Sequence, residues 1–163
     1  MNLYQLCKIM AILLSGLVAG LFYGYQCSVN KGLGQLGDKE YLLGFQSINR
    51  VILNPMFFVS FIGCLVCLPI VCWLSYRIGD RTSFNFLLIA MVIYSLGVFG
   101  ITIFGNVPLN ETLAKFNINM ASVKELNLQR KAFEPLWNKY HLIRTIAAIL
   151  TFILTILSLI KIK

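Results

Sequence analysis

A row of residues that could do chemistry leads into the last apolar stretch of this 163-residue chain along one helical face. Steps of four and three residues keep side chains on one face of an α-helix. Such steps connect Trp137, His141, Arg144, Ala148, Thr151 and Thr155. A neutral imidazole at position 141 could accept a proton, and the guanidinium at position 144 could hold an oxyanion. Ionisable groups at membrane depth usually mark function, although Arg144 could instead anchor the helix by reaching the membrane surface.

The other candidate residues stand at the ends of the three earlier apolar stretches. They are, in chain order, Tyr23, Tyr25, Asn49, Arg50, Asn54, Asn106 and Asn110. Stretches that alternate in direction bring all these ends to the side where the last stretch begins. We therefore expect one site, in which Arg50 joins His141 and Arg144 as catalytic residues. The tyrosines, the asparagines and Trp137 would bind the substrate.

Each of these groups has an alternative structural role. Gln46, Arg50 and Asn54 form one row only if their helix is continuous. Asn54 could instead be an N-cap with Pro55 at the first helical position, which would break that row. The asparagines could only satisfy backbone groups at helix ends, and Trp137 could belong to an aromatic belt at the membrane interface.

Composition indicates the class of protein that must hold these residues. Hydrophobic residues make up 58% of the chain and charged residues 12%, with a mean hydropathy of +0.79. A soluble domain carries about a quarter charged residues, and so small a globule cannot hide this much apolar side chain. A disordered chain is excluded because it would need many charged and few apolar residues. The composition therefore predicts an integral membrane protein.

Four apolar stretches reach the length of about 20 residues that a membrane helix needs. They span about residues 9–26, 51–76, 84–104 and 142–160, with Lys161 and Lys163 after the last. The predicted fold is all-α: one four-helix membrane domain over residues 1–163. Short amphipathic helices are expected in the loops on one side, at Tyr41–Ile52 and at Val123–Leu136, with Pro135 near a boundary or kink.

The charge pattern fits a membrane protein better than a nucleic-acid binder. Fourteen Lys and Arg against six Asp and Glu give a net charge of +8, but no basic run exceeds Arg130-Lys131. The lipid bilayer is therefore the expected partner, and no nucleic acid is expected. Basic residues close to short loops and termini favour cytoplasmic termini, and the expected location is the plasma (inner) membrane. The first stretch could be a signal peptide, but its length and the lack of an A-x-A pattern favour an uncleaved span.

Cysteines and glycines offer a second set of hypotheses. Cys64 and Cys67 form a C-x-x-C within an apolar run, where packing is favoured over redox chemistry because hydrocarbon suppresses the thiolate. Gly16, Gly20 and Gly24 form two G-x-x-x-G steps, which predict packing inside the bundle or a homodimer contact. One histidine and no carboxylate pair in the apolar stretches give no metal site, and no cofactor is expected.

Four segments resemble the anthrone oxygenase family of small membrane proteins, which is also known as a domain of unknown function in bacteria. They are Gly20-Leu-Phe-Tyr-Gly24, Phe45-Gln-Ser-Ile-Asn-Arg-Val-Ile-Leu-Asn-Pro55, Asn106-Val-Pro-Leu-Asn110, and Trp137 with His141, Arg144 and Thr145. The order is right and most of the chain is covered. Two places depart from the family pattern: Asn30-Lys31-Gly32-Leu33 replaces a Pro-containing segment, and His141 stands where many members have Asn.

The resemblance implies a four-helix membrane protein. It further implies oxidation of a phenolic, polyketide-like anthrone to an anthraquinone by molecular oxygen, without a cofactor. Two other classes stay open: a non-enzymatic membrane protein that binds a lipophilic molecule or a partner, and a thiol–quinone oxidoreductase. An oxygenase predicts a partly apolar pocket at Arg50, Asn106, His141 and Arg144. A non-enzymatic protein predicts that those side chains bond one another without a cavity, and a thiol enzyme predicts Cys64 or Cys67 facing an accessible cavity.

Overall fold

The computed structural model describes residues 2–160, which form helices and no β-strand. The five helices are α1 (Leu3–Gly34), α2 (Asp38–Val51), α3 (Pro55–Arg77), α4 (Arg81–Lys115) and α5 (Val123–Leu157). All except α2 are long and apolar enough to cross a membrane. The prediction of an all-α, four-helix membrane bundle is therefore confirmed. Lys161 and Lys163, predicted to close the fourth span, lie outside the described residues.

Short polar signals explain where these helices begin. Asn54 is the N-cap of α3, its side chain accepting a hydrogen bond from the amide of Phe57, with Pro55 in the first turn. Ser122 and Glu125 form a capping box at the start of α5. Gly79 has a φ of +76° between α3 and α4, a conformation that favours glycine. The cap at Asn54 shows that the row of Gln46, Arg50 and Asn54 is broken between α2 and α3.

The four long helices close into a ring, since α1 and α4 each pack against both α3 and α5. Apolar side chains fill its centre, among them Val18, Phe61, Leu68, Leu87 and Val98. The outer sides of the long helices, which face away from this centre, carry exposed leucines, isoleucines and valines. Such surfaces are expected against lipid, where apolar side chains need no burial in protein.

Glycines permit the closest approaches between these helices. A Cβ at Gly97 would stand 2.7 Å from the Cβ of Ala147, and one at Gly16 would stand 2.9 Å from the ring of Phe152. Gly16 therefore packs inside the bundle. No described atom outside the helix itself lies within 4 Å of a Cβ built at Gly20 or Gly24, and a homodimer contact there stays a prediction.

Three helices extend further than the apolar stretches predict. Helix α1 continues beyond Gln26 to Gly34, α4 continues beyond Phe104 to Lys115, and α5 begins at Val123. With 35 residues, α5 is about 52 Å long, against about 30 Å for the hydrocarbon layer. Pro135 lies inside this one helix, so of the two predicted positions, a boundary or a kink, the boundary is wrong. Polar residues end an apolar run without ending a helix, because packing on another element can support the extension.

The extensions are supported by α2 and by a second apolar core. Its buried residues are Tyr41, Leu42, Phe45, Leu113, Ile118, Leu126, Phe133 and Trp137. At its edge, Arg130 of α5 donates to the carbonyls of Gly34 and Leu36 and pairs with Asp38 and Glu134. Hydrogen bonds from Asn127 and Arg130 hold the pKa of the Asp38 carboxyl below its ordinary value. The amphipathic helix predicted near Tyr41–Ile52 is present as α2, and the one predicted at Val123–Leu136 is the first part of α5.

Wide, π-helical turns interrupt α1 and α4 on the side of these extensions. They occupy Tyr25–Val29 in α1, and Tyr94–Gly100 and Thr102–Asn106 in α4. A π-helical turn shifts the face that the following residues present and often occurs at functional sites. Two predicted site residues lie in these turns, Tyr25 in the first and Asn106 in the last.

The opposite end of the bundle is joined by a network around Lys8. The buried ammonium of Lys8 donates to Ser83 Oγ at 2.6 Å and to the carbonyl of Ser158 at 2.7 Å, and it lies 3.7 Å from Asp80. Asp80 also accepts hydrogen bonds from Tyr4 and Ser83. Burial raises the pKa of Asp80, but the bonds from Ser83 and Tyr4 and the nearby ammonium outweigh it, so that the pKa is below its ordinary value. This network ties together the ends of α1, α4 and α5.

Candidate functional site

Arg144 is a buried cation for which the described residues offer no carboxylate. Its side chain lies on α5 and the residue is 9% exposed. None of the ion pairs formed by residues 2–160 includes it. The guanidinium lies between aromatic faces, with Cζ 4.5 Å from the ring centre of Phe22 and 5.2 Å from that of Trp137. Aromatic faces stabilise a cation, but a buried charge without a counter-ion remains costly.

Two neutral groups accept hydrogen bonds from Arg144. Its Nε donates to Nδ1 of His141 at 3.2 Å, and one terminal nitrogen donates to Oγ1 of Thr102 at 3.4 Å. A guanidinium has five N–H donors and no acceptor. The remaining N–H groups of Arg144 have no partner among the described residues, and they are available to a ligand.

His141 is fully buried and both ring nitrogens are engaged. Nδ1 accepts from Arg144, so its lone pair is occupied, and Nε2 lies 3.2 Å from the carbonyl oxygen of Phe22. A carbonyl can only accept, which places the ring proton on Nε2. The imidazole therefore has no free lone pair for a substrate proton, and this geometry does not favour its predicted role as a base.

Trp137 forms a wall of the site and is held from two sides. Its ring stacks on His141 with centroids 5.0 Å apart, and its indole N–H donates to Oδ1 of Asn110 at 2.8 Å. The backbone carbonyl of Trp137 accepts a hydrogen bond from the side-chain amide of Asn106 at 3.2 Å. The two asparagines of α4 thus fix the position of α5 at Trp137, and Asn110 also reaches the cavity described next.

A cavity of about 90 Å³ lies beside Arg144, and apolar atoms make up most of its wall. Its aromatic lining comes from Phe22, Tyr25, Phe57 and Trp137. Two residues of the wall each carry a buried polar atom that has no hydrogen-bond partner among the described residues: the hydroxyl of Tyr25 and Nδ2 of Asn49. Both can donate, as can the free N–H groups of Arg144. Among the described residues no carboxylate lines this cavity, so its free polar atoms suit a ligand that accepts hydrogen bonds.

A wider cleft of about 330 Å³ adjoins this cavity between α2 and α4. The two spaces share Asn49, Ile52, Leu53, Val107 and Asn110 on their walls. Arg50 and Glu111 line the cleft but not the inner cavity. A ligand longer than the inner cavity would therefore extend past Asn49 and Asn110 into the cleft.

The structure brings most of the predicted site residues together. Those on the wall of the inner cavity are Tyr25, Asn49, Asn110, Trp137, His141 and Arg144. These six residues lie at the same end of the bundle, as the alternating directions of the spans predict. The side chains predicted as one cluster do not all line one space, because some line the inner cavity and Arg50 lines the outer cleft.

Four predicted residues lie elsewhere. Arg50 is exposed in the outer cleft, because α2 ends at Val51 before the cap of α3 turns the chain. Tyr23 is 59% exposed on the outside of α1. Asn54 caps α3 and donates to the carbonyl of Val51. Asn106 is fully buried behind Trp137 and does not line the cavity.

Phe22 and Thr102 belong to the site although the sequence did not predict them. Thr102 precedes Asn106 and Asn110 by steps of four, a spacing that could have placed it on their face of α4. Phe22 lies inside the Gly20–Gly24 segment, where an aromatic residue in an apolar run looks like any packing residue. Its role is visible only from its contacts with Arg144 and His141.

The cysteines lie away from this cavity. Cys64 is fully buried in the bundle core, and Sγ of Cys67 points to the carbonyl of Cys7 at 3.5 Å. All five cysteines have free thiols. No group of three His, Cys, Asp or Glu residues suited to a metal ion occurs among the described residues.

Comparison with known proteins yields one match. A family model described as anthrone oxygenase matches residues 52–154. The matched region runs from the end of α2 into α5 and contains Thr102, Asn110, Trp137, His141 and Arg144. No curated protein and no solved structure matches the chain.

Proposed function

The chain belongs to the anthrone oxygenase family, and on that premise we propose that it is a cofactor-independent oxygenase acting on an apolar phenolic, polyketide-like substrate. The observation that supports this most is the buried guanidinium of Arg144 at the wall of an aromatic cavity, without a counter-ion among residues 2–160. An oxyanion on a bound substrate would be the missing partner. Preorganised donors around such a charge commonly supply the largest part of a rate enhancement.

The lining of the cavity matches the two parts of such a substrate. Phe22, Tyr25 and Trp137 offer faces and edges to a planar aromatic body. Arg144, the Tyr25 hydroxyl and the Asn49 amide offer donors to an oxygen atom. A substrate of this kind is apolar enough to partition into the bilayer, which the exposed apolar surfaces of the long helices face.

The volumes of the inner cavity and the outer cleft indicate that the substrate would occupy both. Ligand sites usually measure about 300–1,000 Å³, so the inner cavity of about 90 Å³ holds only one end of a fused-ring molecule. The adjoining cleft of about 330 Å³ takes the rest. In this arrangement the oxygen-bearing end lies at Arg144 and the body of the molecule extends toward Arg50.

The reaction needs no external reductant. Loss of a proton from the methylene carbon of an anthrone gives an enolate, whose charge lies largely on the oxygen held by Arg144. The enolate passes one electron to molecular oxygen, and the resulting radical and superoxide join as a peroxide anion, which takes up one proton to become a hydroperoxide. Elimination of water leaves a carbonyl on that carbon, so one anthrone and one O₂ give one anthraquinone and one water. One oxygen atom enters the product and the other takes up the two hydrogens.

Oxygen uptake and quinone absorbance, measured together on protein in detergent micelles, test this proposal. We expect wild type to consume one O₂ per quinone above the uncatalysed rate, and Arg144→Met to lose at least about 100-fold of that activity. Arg77→Met is the matched control, because Arg77 is exposed at the other end of the bundle, and it should retain activity. Equal rates for wild type and Arg144→Met would contradict the proposal.

A double Cys64→Ser, Cys67→Ser variant separates this function from thiol–quinone chemistry. The oxygenase requires neither thiol, so turnover should be unchanged. A loss of turnover with intact folding would favour the thiol enzyme. Binding of the phenolic substrate without any oxygen uptake would favour a non-enzymatic binding protein.

The basic residues next to the Lys8 end support a proposal for the orientation in the membrane. Lys8, Arg77 and Arg81 flank that side closely, which favours placing it, with the chain termini, in the cytoplasm of a cell whose plasma membrane holds the protein. The site would then face outward. Cys27 is the exposed cysteine, and it lies on the site side of α1. A membrane-impermeant thiol reagent should label it in intact cells and should fail to label Cys27→Ser; protection of Cys27 until the cells are opened would reverse the orientation.

A further inference from the structure

We infer that His141 is a positioning residue that aims Arg144, and that the cavity selects the ionised form of an acidic phenol or enol instead of deprotonating the neutral form. The inference rests on the proposed function, since it concerns the same cavity and deepens the account of its substrate. It assigns His141 no proton transfer. It also makes the acidity of the substrate itself a determinant of binding.

The hydrogen bonds of His141 are directed at protein groups on both sides. Nδ1 accepts from Nε of Arg144 at 3.2 Å, and Nε2 donates to the carbonyl of Phe22 at 3.2 Å. The ring is also packed between Trp137 at 5.0 Å and the edge of Phe22 at 5.7 Å. This connection links α1 to the guanidinium through an imidazole that cannot turn freely. A proton on Nδ1 would remove the acceptor of Arg144 and place a second positive charge beside it.

Within the described part of the chain, the groups that face Arg144 and His141 include no carboxylate and no further imidazole or amine. From α1 the titratable group on the wall is Tyr25, from α5 it is His141 and Arg144, and α4 contributes the neutral Thr102. The outer cleft adds Arg50 from α2 and Glu111 from α4, both exposed. Glu111 does not line the inner cavity, so no carboxylate of the described residues touches a ligand oxygen held by Arg144.

A cavity with free donors and no free base discriminates by charge. An anionic oxygen supplies the counter-ion that Arg144 lacks and accepts from several donors at once. A neutral hydroxyl offers neither the charge nor a place for its own proton, because its neighbours are mostly donors. The ionised form should therefore bind far more tightly than the neutral one. The proton is then lost to water before the ligand enters, with no protein residue as its acceptor.

The role of His141 can be imitated by asparagine. A carboxamide also presents one acceptor and one donor, and its oxygen can receive Arg144 while its N–H₂ faces Phe22. Alanine at the same position presents neither. His141→Asn should therefore keep the alignment of Arg144, and His141→Ala should lose it.

Redox-inert phenols of equal size and different acidity test the inference without any turnover. The affinities of two nitrophenol isomers, and of nitroanisole as the neutral control, are measured from pH 5 to pH 9 for wild type and three variants. In wild type, affinity should rise at least about tenfold as each phenol ionises, at a different pH for each isomer, and nitroanisole should bind weakly throughout. His141→Asn should reproduce both curves, Glu111→Gln should keep their midpoints, and His141→Ala should keep the midpoints with affinity reduced about tenfold.

A spectroscopic signal provides the second readout. The chain has one histidine, so ¹⁵N-labelled histidine reports on one ring. Wild type should show an unprotonated Nδ1 and a protonated Nε2 with and without phenol.

A proton that moves to the ring when phenol binds would overturn the inference, as would affinity curves whose midpoint is the same for both phenols. His141→Asn binding as weakly as His141→Ala would overturn the positioning role, and no phenol binding to wild type at any pH would overturn anion selection. Tight phenolate binding without oxygen uptake from an anthrone would leave the inference standing and remove only the oxygenase.

Discussion

Lys8 and Arg144 are buried cations near opposite ends of the same bundle, and their surroundings differ. Lys8 has the carboxylate of Asp80 at 3.7 Å and two oxygen acceptors at 2.6 and 2.7 Å. Arg144 has an imidazole nitrogen, a threonine hydroxyl at 3.4 Å and two aromatic faces. The first charge is neutralised by a carboxylate of the protein, and the second has no carboxylate partner within residues 2–160.

The difference indicates different purposes for the two clusters. A paired charge with its hydrogen bonds made can hold helices together, as the Lys8 network does for α1, α4 and α5. An unpaired charge costs stability, and it is retained here next to unpartnered donors and a cavity. Binding an anion would repay that cost, which is why the Arg144 end is the candidate site and the Lys8 end is structural.

Supplying Arg144 with a counter-ion from the protein should have the largest effect. Thr102→Asp places a carboxylate where Thr102 now accepts from Arg144, so the Arg144 end would come to resemble the Lys8 end. We expect phenolate affinity to fall at least about 100-fold, which is about 2.8 kcal/mol, while thermal stability rises. Titration and thermal unfolding in the same detergent measure both effects. Thr102→Asn is the matched uncharged control, and equal phenolate binding by the two variants would contradict the account.

Removing the cation from the paired end should reduce stability instead. Lys8→Met leaves Asp80 and the carbonyl of Ser158 without the ammonium. Because the Asp80 side chain is 31% exposed, the expected loss is about 2 kcal/mol, less than for a wholly buried pair. Chemical unfolding measures it. Unchanged stability would show that the network does not hold the helices, and Lys39→Met, a change at an exposed lysine, controls for loss of charge alone.

Asn54 separates a capping asparagine from asparagines of the site. Asn54→Ala removes the acceptor for the amide of Phe57 and should cost about 1 kcal/mol of stability. Phenolate affinity should stay within about twofold, because Asn54 does not line the inner cavity. Asn110→Ala is the contrasting variant, since it frees the indole N–H of Trp137 and should weaken binding. A larger loss of binding in Asn54→Ala would return Asn54 to the site.

The smallest expected effect is a dependence of stability on acid pH at the paired end. The Asp80 pKa is lower in the folded protein than the ordinary value of about 3.9. The contribution of ionised Asp80 to the free energy of unfolding is therefore present at neutral pH, and it is lost as the pH falls through the folded-state pKa. Thermal unfolding between pH 6 and pH 3 should show this loss in wild type and less of it in Asp80→Asn. An equal acid response in both would assign the effect to other carboxyls.

The sequence predicts the part of the site that one regular helix carries. Trp137, His141 and Arg144 follow regular α-helical steps, so their common face could be read directly. Phe22 stands in an apolar run of α1, where residue type and spacing do not distinguish a site residue from a packing residue. Thr102 stands at steps of four before Asn106 and Asn110, so the spacing that could have identified it was present in the sequence.

Arg50 shows a second limit. Its predicted place beside Arg144 requires a helix continuous through Asn54, but the cap at Asn54 competes with that row. The local signals for both structures were present in the sequence. Only packing of α2 on the extensions of α4 and α5 decides between them, and it leaves Arg50 in the outer cleft.

The most direct test of the account compares the two cations in one assay. The affinity for a coloured phenolate and the stability to unfolding are measured for wild type, Arg144→Met and Lys8→Met in the same detergent. The account predicts that Arg144→Met loses phenolate binding without loss of stability, and that Lys8→Met loses stability while the folded protein still binds. Phenolate binding that is equally strong in Arg144→Met and wild type would contradict the claim that the unpaired guanidinium is an anion site.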